Sequence, residues 1–298
     1  MWIYIESDTS QVNLWFWLPA PDQFQNRFLS TGGGGLAITS GERGLTSGIV
    51  YGAVTGTTDG GFGGFDKELS DVLLLANGTL DYNMLYSFGY KAIHEMSVLG
   101  KELTRKFYDA DQFYSYYSGC SEGGRDGFSQ VQRYGSQFDG AAIGAPAFRQ
   151  AFQQVLHLFS AVVETTLDYA PSSCELEKIN NDTISACDAL DGRADGVVSR
   201  TDLCKLKYKH SASIGKPYSC AASRGGGMPG GPPGAAAPAA NGTVTSQAVA
   251  VADAIDKGLY DSKGRQVYLS FQPSAGYPDA GTYCPLCFAT PSPLHTPV

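Results

Sequence analysis

The chain has 298 residues and a formal net charge of −8, with 43% hydrophobic, 12% aromatic and 17% charged residues. That length and mixture suit a folded globular protein with a sizeable core. The acidic balance argues against a nucleic-acid partner, and no run of about 18 apolar residues is present to span a membrane.

In chain order, residues 11–18 (Gln-Val-Asn-Leu-Trp-Phe-Trp-Leu) read as a strand that ends at Pro19. Residues 27–30 read as a second strand, leading into Thr31 and the glycine run Gly32–Gly35. A glycine run after a strand can present bare backbone N–H groups to a substrate, here from Gly33 or Gly34; it can equally be a flexible connector. Residues 48–55 alternate like a strand and run into an acidic turn at Asp59. Residues 81–107 repeat apolar side chains at helical spacing, among them Tyr82, Leu85, Ile93, Met96 and Leu103. His94 lies in this stretch and is expected to be packed and hydrogen-bonded, not catalytic.

The organising stretch comes next. An aromatic strand at residues 112–117 precedes Gly119-Cys120-Ser121-Glu122-Gly123, a helix follows over 124–134, and another strand over 138–144. Strand, G-x-S-x-G, helix and strand form the setting of a nucleophile elbow. The glycines allow the tight turn that exposes the Ser121 hydroxyl. The Glu122 backbone N–H would face a developing oxyanion at the positive end of the helix. The alternative is a glycine-rich turn carrying an ordinary serine.

Beyond Pro146 a helix over 148–167 leads into a second region, with His157 among apolar neighbours. Residues 187–197 hold Asp188, Asp191 and Asp195 on a glycine-broken backbone. Dense carboxylates on a turning chain suit a hard cation, calcium best, or a solvated acidic turn. Cys174 and Cys187 bracket a helix at 175–185, and Cys204 and Cys220 bracket a loop; four cysteines allow three connectivities. Residues 223–240 are nearly all Gly, Pro and Ala and read as a disordered insert. A helix over 244–259 and a hairpin over 260–268 follow. Seven cysteines and sequons at Asn77, Asn181 and Asn241 suit a secreted glycoprotein. The first residues have neither the basic start nor the apolar run of a signal peptide, so the true N-terminus is expected to be missing.

Tyr117-Ser118-Gly119-Cys120-Ser121-Glu122-Gly123-Gly124-Arg125, with residues 132–134 and the stretch from Phe138 to Ala147, resembles the tannase and feruloyl esterase family of secreted serine esterases. The resemblance runs from about Val12 to Thr282. It implies an α/β fold: an α/β-hydrolase core over 1–149, incomplete at its C-terminal side, an inserted lid domain over 150–282, and an atypical tail over 283–298. It implies Ser121 as nucleophile and Cys120 as one half of a disulfide to a cysteine beside the catalytic histidine. It implies a structural calcium held by the side chains of Asp188, Asp191 and Asp195 and the backbone carbonyls of Arg193 and Val197. Proximity and the resemblance together pair Cys174 with Cys187 and Cys204 with Cys220. The substrate it implies is a small phenolic ester, gallate or ferulate.

A serine hydrolase also needs a base and an acid to orient it. After Ser121 the histidines are His157, His210 and His295, none in a convincing setting. The family's late aspartate and histidine segments are not found, so the chain is expected to stop inside the lid. Two readings follow: a phenolic ester hydrolase, or an inactive fragment or pseudoenzyme of that family. Cys284 and Cys287 are not expected to form a redox or zinc pair, because no second ligand pair accompanies them.

Overall fold

The structure is a computed structural model that describes residues 2–5, 11–61, 73–222, 238–277 and 279–280. The chain divides into two compact units, Met1–Phe148 and Arg149–Val298.

The first unit is built on a six-stranded mixed sheet. Its strands are β1 (Trp2–Ile5), β2 (Gln11–Trp17), β3 (Arg27–Thr31), β4 (Ala53–Thr58), β5 (Tyr114–Cys120) and β6 (Gly140–Gly144), in spatial order β1-β2-β4-β3-β5-β6. β1 and β2 are antiparallel, β2 runs antiparallel to β4, and β4, β3, β5 and β6 are mutually parallel. β4 is buried along its whole length, which parallel strands covered on both faces require.

Helices supply that cover. α1 (Glu42–Ile49) lies on one face; a Cβ at Gly48 would come within 2.0 Å of Thr55 Oγ1. On the opposite face lie α2 (Tyr82–Tyr86), a π-helical turn (Ser87–Lys91) and α3 (Ala92–Tyr108). Here a Cβ at Gly100 would meet Phe16 and Phe28 at 2.5 Å. α4 (Glu122–Tyr134) shares that face, where a Cβ at Gly127 would sit 2.5 Å from Tyr117. Val12, Leu14, Phe28, Val54, Ile93, Met96 and Tyr117 form the core between sheet and helices.

Three features of this unit differ from the sequence reading. Residues 48–55 are not one strand: α1 occupies the chain to Ile49 and β4 begins at Ala53. Alternation over a few residues misled, because the small residues Gly44 and Gly48 serve close helix–sheet approach. β1, not expected from the sequence, pairs with β2 in the register Trp2 to Leu14. The helix expected over 81–107 is interrupted by the π-helical turn, where the Ala92 N–H donates to Ser87 O, five residues back. Asp59 ends β4 as a buried tie: its carboxylate accepts from Asn13 N at 2.9 Å and Asn13 Nδ2 at 2.6 Å.

The second unit is mainly helical: α5 (Gln150–Thr166), α6 (Ser173–Cys187), α7 (Thr201–Lys207) and α8 (Ser246–Lys257). Two small hairpins accompany them, β7 (Pro217–Cys220) with β8 (Ala240–Thr243) and β9 (Leu259–Tyr260) with β10 (Gln266–Tyr268). Val163, Leu176, Ile179, Val251, Ala252 and Ile255 make its core.

Its disulfides join Cys174 to Cys220 and Cys187 to Cys204, with Cα separations of 5.9 and 5.4 Å. The expected pairs 174–187 and 204–220 are therefore wrong. Cys174 and Cys187 lie near opposite ends of α6, so the helical rise puts their Cα atoms about 20 Å apart, far beyond disulfide reach. Most of the expected disordered insert, residues 223–237, lies outside the described residues, as do Cys284, Cys287 and the tail; Ala240 already belongs to β8.

Candidate active site

The site begins where β5 stops. Ser121 stands between β5 and α4 with φ 61° and ψ −116°, a backbone conformation that disfavours any side chain. Such a conformation costs of order 1–3 kcal/mol and persists only where the surroundings enforce it. They do so here. Ser121 N–H donates to Gly144 O at 3.1 Å, while Ser121 O accepts from Ala147 N at 3.0 Å and Arg125 N at 3.1 Å. The turn is tight enough that a Cβ at Gly119 would meet Gly123 O at 2.4 Å, and one at Gly124 would meet Gly144 O at 2.3 Å. The result is an exposed Ser121 side chain at the C-terminal end of a central parallel strand.

Glu122 opens α4, so its backbone N–H has no carbonyl within the helix to bond. Its side chain is fully buried and accepts from Arg125 Nε at 2.7 Å. Arg125 also pairs with Asp126 and donates to Gly89 O at 3.1 Å and Phe88 O at 3.0 Å, its guanidinium stacked over the Phe88 ring. These carbonyls belong to the π-helical turn. Ser129 Oγ and Gln130 Nε2 use Gly89 O and Tyr90 O in the same way, at 2.8 and 2.7 Å. Burial pushes the Asp126 carboxyl up to about 7 against the opposing pull of Arg125.

The glycine run packs against the elbow. Gly123 N–H donates to Gly33 O at 3.0 Å, and Tyr117 OH donates to Gly123 O at 2.6 Å. A Cβ at Gly32 would lie 2.1 Å from Tyr117 OH and 2.8 Å from Gly123 Cα. The Gly33 N–H faces Asp126 Oδ2 at 3.5 Å, and the Gly34 N–H donates to Ala37 O at 2.9 Å. Either would have to exchange that acceptor to serve an oxyanion. Beside them, a 680 Å³ open cavity is lined by Thr31, Ser40, Arg43, Ser118 and Cys120. Cys120 is exposed and forms no disulfide among the described residues.

The remaining sequence candidates lie elsewhere. His94 stacks on Tyr134 at 3.7 Å and its Nδ1 is 2.8 Å from Gln137 Nε2; burial lowers its basicity. His157 pairs with Asp279 at 2.7 Å, and His210 with Asp253 at 2.8 Å, all in the second unit. In the acidic loop, Asp188 Oδ1 accepts from Asp195 N and Gly196 N at 3.1 and 3.0 Å, Asp191 Oδ1 from Arg193 N at 2.9 Å, and Asp195 Oδ1 from Val197 N at 3.2 Å. Three carboxylates and the carbonyls of Arg193 and Val197 are a hard-oxygen set that fits calcium in chemistry. In this conformation, among the described residues, no three acidic, Cys or His side chains are gathered closely enough to hold an ion.

Sequence reasoning passed over Arg125 and Asp126 as a buried charged pair. The signal was available: two adjacent charges in the first turns of a helix, flanked by Gly123, Gly124 and Gly127.

The parallel sheet, with a strained serine between strand and helix, defines an α/β-hydrolase type of protein. Its relatives agree. A family described as "Tannase and feruloyl esterase" matches residues 4–289, and the chain belongs to that family of carboxylic ester hydrolases. It is 50% identical over 282 residues to "Tannase" of Aspergillus oryzae, covering 89% of this chain and 47% of that protein. It is 36% identical over 204 residues to a "Probable feruloyl esterase" of Arthroderma benhamiae, covering 68% of this chain and 38% of that one. Among solved structures, "Tannin acyl hydrolase from Aspergillus niger" is similar with TM-score 0.81 and 58% identity, over 91% of this chain and 48% of the other. Feruloyl esterase B from Aspergillus oryzae is similar with TM-score 0.67 and 27% identity, over 94% and 51%. The chain thus spans about half the length, or less, of these relatives.

Proposed function

We propose that this protein is a carboxylic ester hydrolase acting on phenolic esters of the gallate or ferulate kind, with Ser121 as nucleophile. The observation that carries the reading is the Ser121 elbow, a strained and exposed serine at the head of a helix. Ser121 Oγ attacks the ester carbonyl, and the Glu122 N–H, with Gly33 or Gly34 as the second donor, stabilises the oxyanion. Attack requires a general base to take the Ser121 proton, and the reading places that base outside Met1–Phe148. The second unit serves as a lid, with calcium on Asp188, Asp191 and Asp195 and the carbonyls of Arg193 and Val197; the ion would stiffen the loop and supply no chemistry. Two disulfides fit secretion into an oxidising compartment.

One observation favours a second reading, an inactive member of the family. The single histidine of the first unit, His94, is engaged by Tyr134 and Gln137, and an unassisted serine is a weak nucleophile. Hydrolysis of methyl gallate and methyl ferulate by the chain, with Ser121→Ala beside it, separates the cases. Turnover lost in the variant supports the esterase, and turnover that survives it removes Ser121 from the chemistry. Folded protein without turnover supports the second reading.

A further inference from the structure

We propose that Asp126, fixed by Arg125 and through it by the π-helical turn, is the positioning residue of the Gly32–Gly34 segment beside the nucleophile. The inference takes its functional meaning from Ser121 as nucleophile, but its geometry stands alone. Asp126 is 1% exposed, and a buried carboxylate is costly unless its surroundings hold it in one place. Three elements meet on it. From α4 comes Arg125, whose guanidinium is anchored on Glu122, Phe88 O and Gly89 O. From β5 comes Tyr117, whose hydroxyl bonds Gly123 O. From the β3 exit comes the Gly33 N–H, at 3.5 Å from Oδ2.

The opposite side of the same peptide is fixed as well, since Gly33 O accepts from Gly123 N–H. A residue whose carbonyl and N–H are both held by α4 cannot drift relative to the elbow at its N-terminus. Asp126 Oδ2 also lies 3.1 Å from where a Cβ at Gly32 would stand, so a bare glycine is what lets the carboxylate approach. The charged and titratable groups around Asp126 are Arg125, Glu122 and Tyr117. None reaches solvent freely, so its field on the Gly33 peptide is little screened.

Residue-resolved amide exchange in the full chain tests this without turnover. Asp126→Ala is expected to speed exchange at Gly33 and Gly34 roughly tenfold, the scale of one lost hydrogen bond. Amides of β4 should be unchanged. Asp126→Asn, which keeps an acceptor oxygen, should recover most of the protection. Unchanged exchange at Gly33 in folded Asp126→Ala overturns the proposal, as does an equal rise throughout the first unit. If Asp126→Ala does not fold, Arg125→Lys, which loses the fork onto Phe88 O and Gly89 O, is read in the same way. Failure of the esterase assay leaves this result interpretable.

Discussion

The two units solve the same problem by different means. Met1–Phe148 holds its shape with a sheet whose pairings join distant residues, Leu14 to Thr58 and Arg27 to Tyr114. It places buried charge where the chemistry is expected and contains no disulfide among its described residues. Arg149–Val298 is mainly helical, has two disulfides, and leaves Asp188, Asp191 and Asp195 in the acidic loop. A sheet with long-range pairings can enforce a strained serine, whereas the helical unit is tied covalently. The glycines differ in kind too. Around Ser121 they permit close approach, as at Gly119 and Gly124, while Gly192 and Gly196 supply positive φ in an open loop where a Cβ would meet nothing within 4 Å.

The sharpest way to break this contrast is to remove a tie. Cys174–Cys220 closes 46 residues of chain and Cys187–Cys204 closes 17, so chain entropy assigns them about 4 and about 3 kcal/mol. Cys174→Ser with Cys220→Ser should unfold the second unit selectively, seen as lost exchange protection in α6 and α8 with β4 and β5 intact. Loss of protection in both units together would show that they do not differ in this way.

Calcium probes the other side of the contrast. If the acidic loop takes the ion, saturation at 100 times Kd should stabilise the second unit by about 2.7 kcal/mol and leave the first unmoved. Asp191→Ala should abolish the shift. A wild-type melting curve unaffected by calcium or by a chelator leaves Asp188, Asp191 and Asp195 as a self-bonded acidic turn.

In the first unit, Gly124→Ala forces a methyl against the Gly144 carbonyl and Pro146, and overpacking of that kind costs about 1–3 kcal/mol. Gly192→Ala meets no atoms but occupies φ 91°. Its cost should be smaller, close to about 1 kcal/mol. Chemical denaturation of both variants measures the difference, and equal losses would erase the distinction between the two sets of glycines.

A further effect concerns pH. Burial raises Asp126 to about 7 and Asp256 to about 6, above the value of an unfolded aspartate. A carboxyl raised on folding contributes stability that is complete below its unfolded pKa, near 4, and is lost as pH rises through the folded value. Melting temperature should therefore fall between about pH 4 and about pH 7. Asp126→Asn should flatten the upper part of that fall and Asp256→Asn the lower part. An Asp126→Asn curve parallel to wild type would mean that Asp126 stays ionised in the fold.

Much of this was legible in the chain itself. Local signals carried the elbow, because G-x-S-x-G between an aromatic strand and a helix is a short-range pattern. The helices expected over 148–167, 175–185 and 244–259 are found at 150–166, 173–187 and 246–257. The acidic loop was visible as carboxylates separated by glycines.

What only the tertiary structure decided depended on distant partners. Residues 42–49 became a helix because Gly48 allows it to lie on Thr55, a contact that local alternation cannot report. The cysteine pairing followed from the rigidity of α6, which separates the neighbours in sequence and brings Cys220 to Cys174. The buried Glu122–Arg125–Asp126 cluster is anchored on carbonyls of the π-helical turn 36 and 37 residues earlier, and helix register is set by packing as much as by sequence. The proposed nucleophile could be named from five adjacent residues; what surrounds it had to be assembled from three separate stretches of the chain.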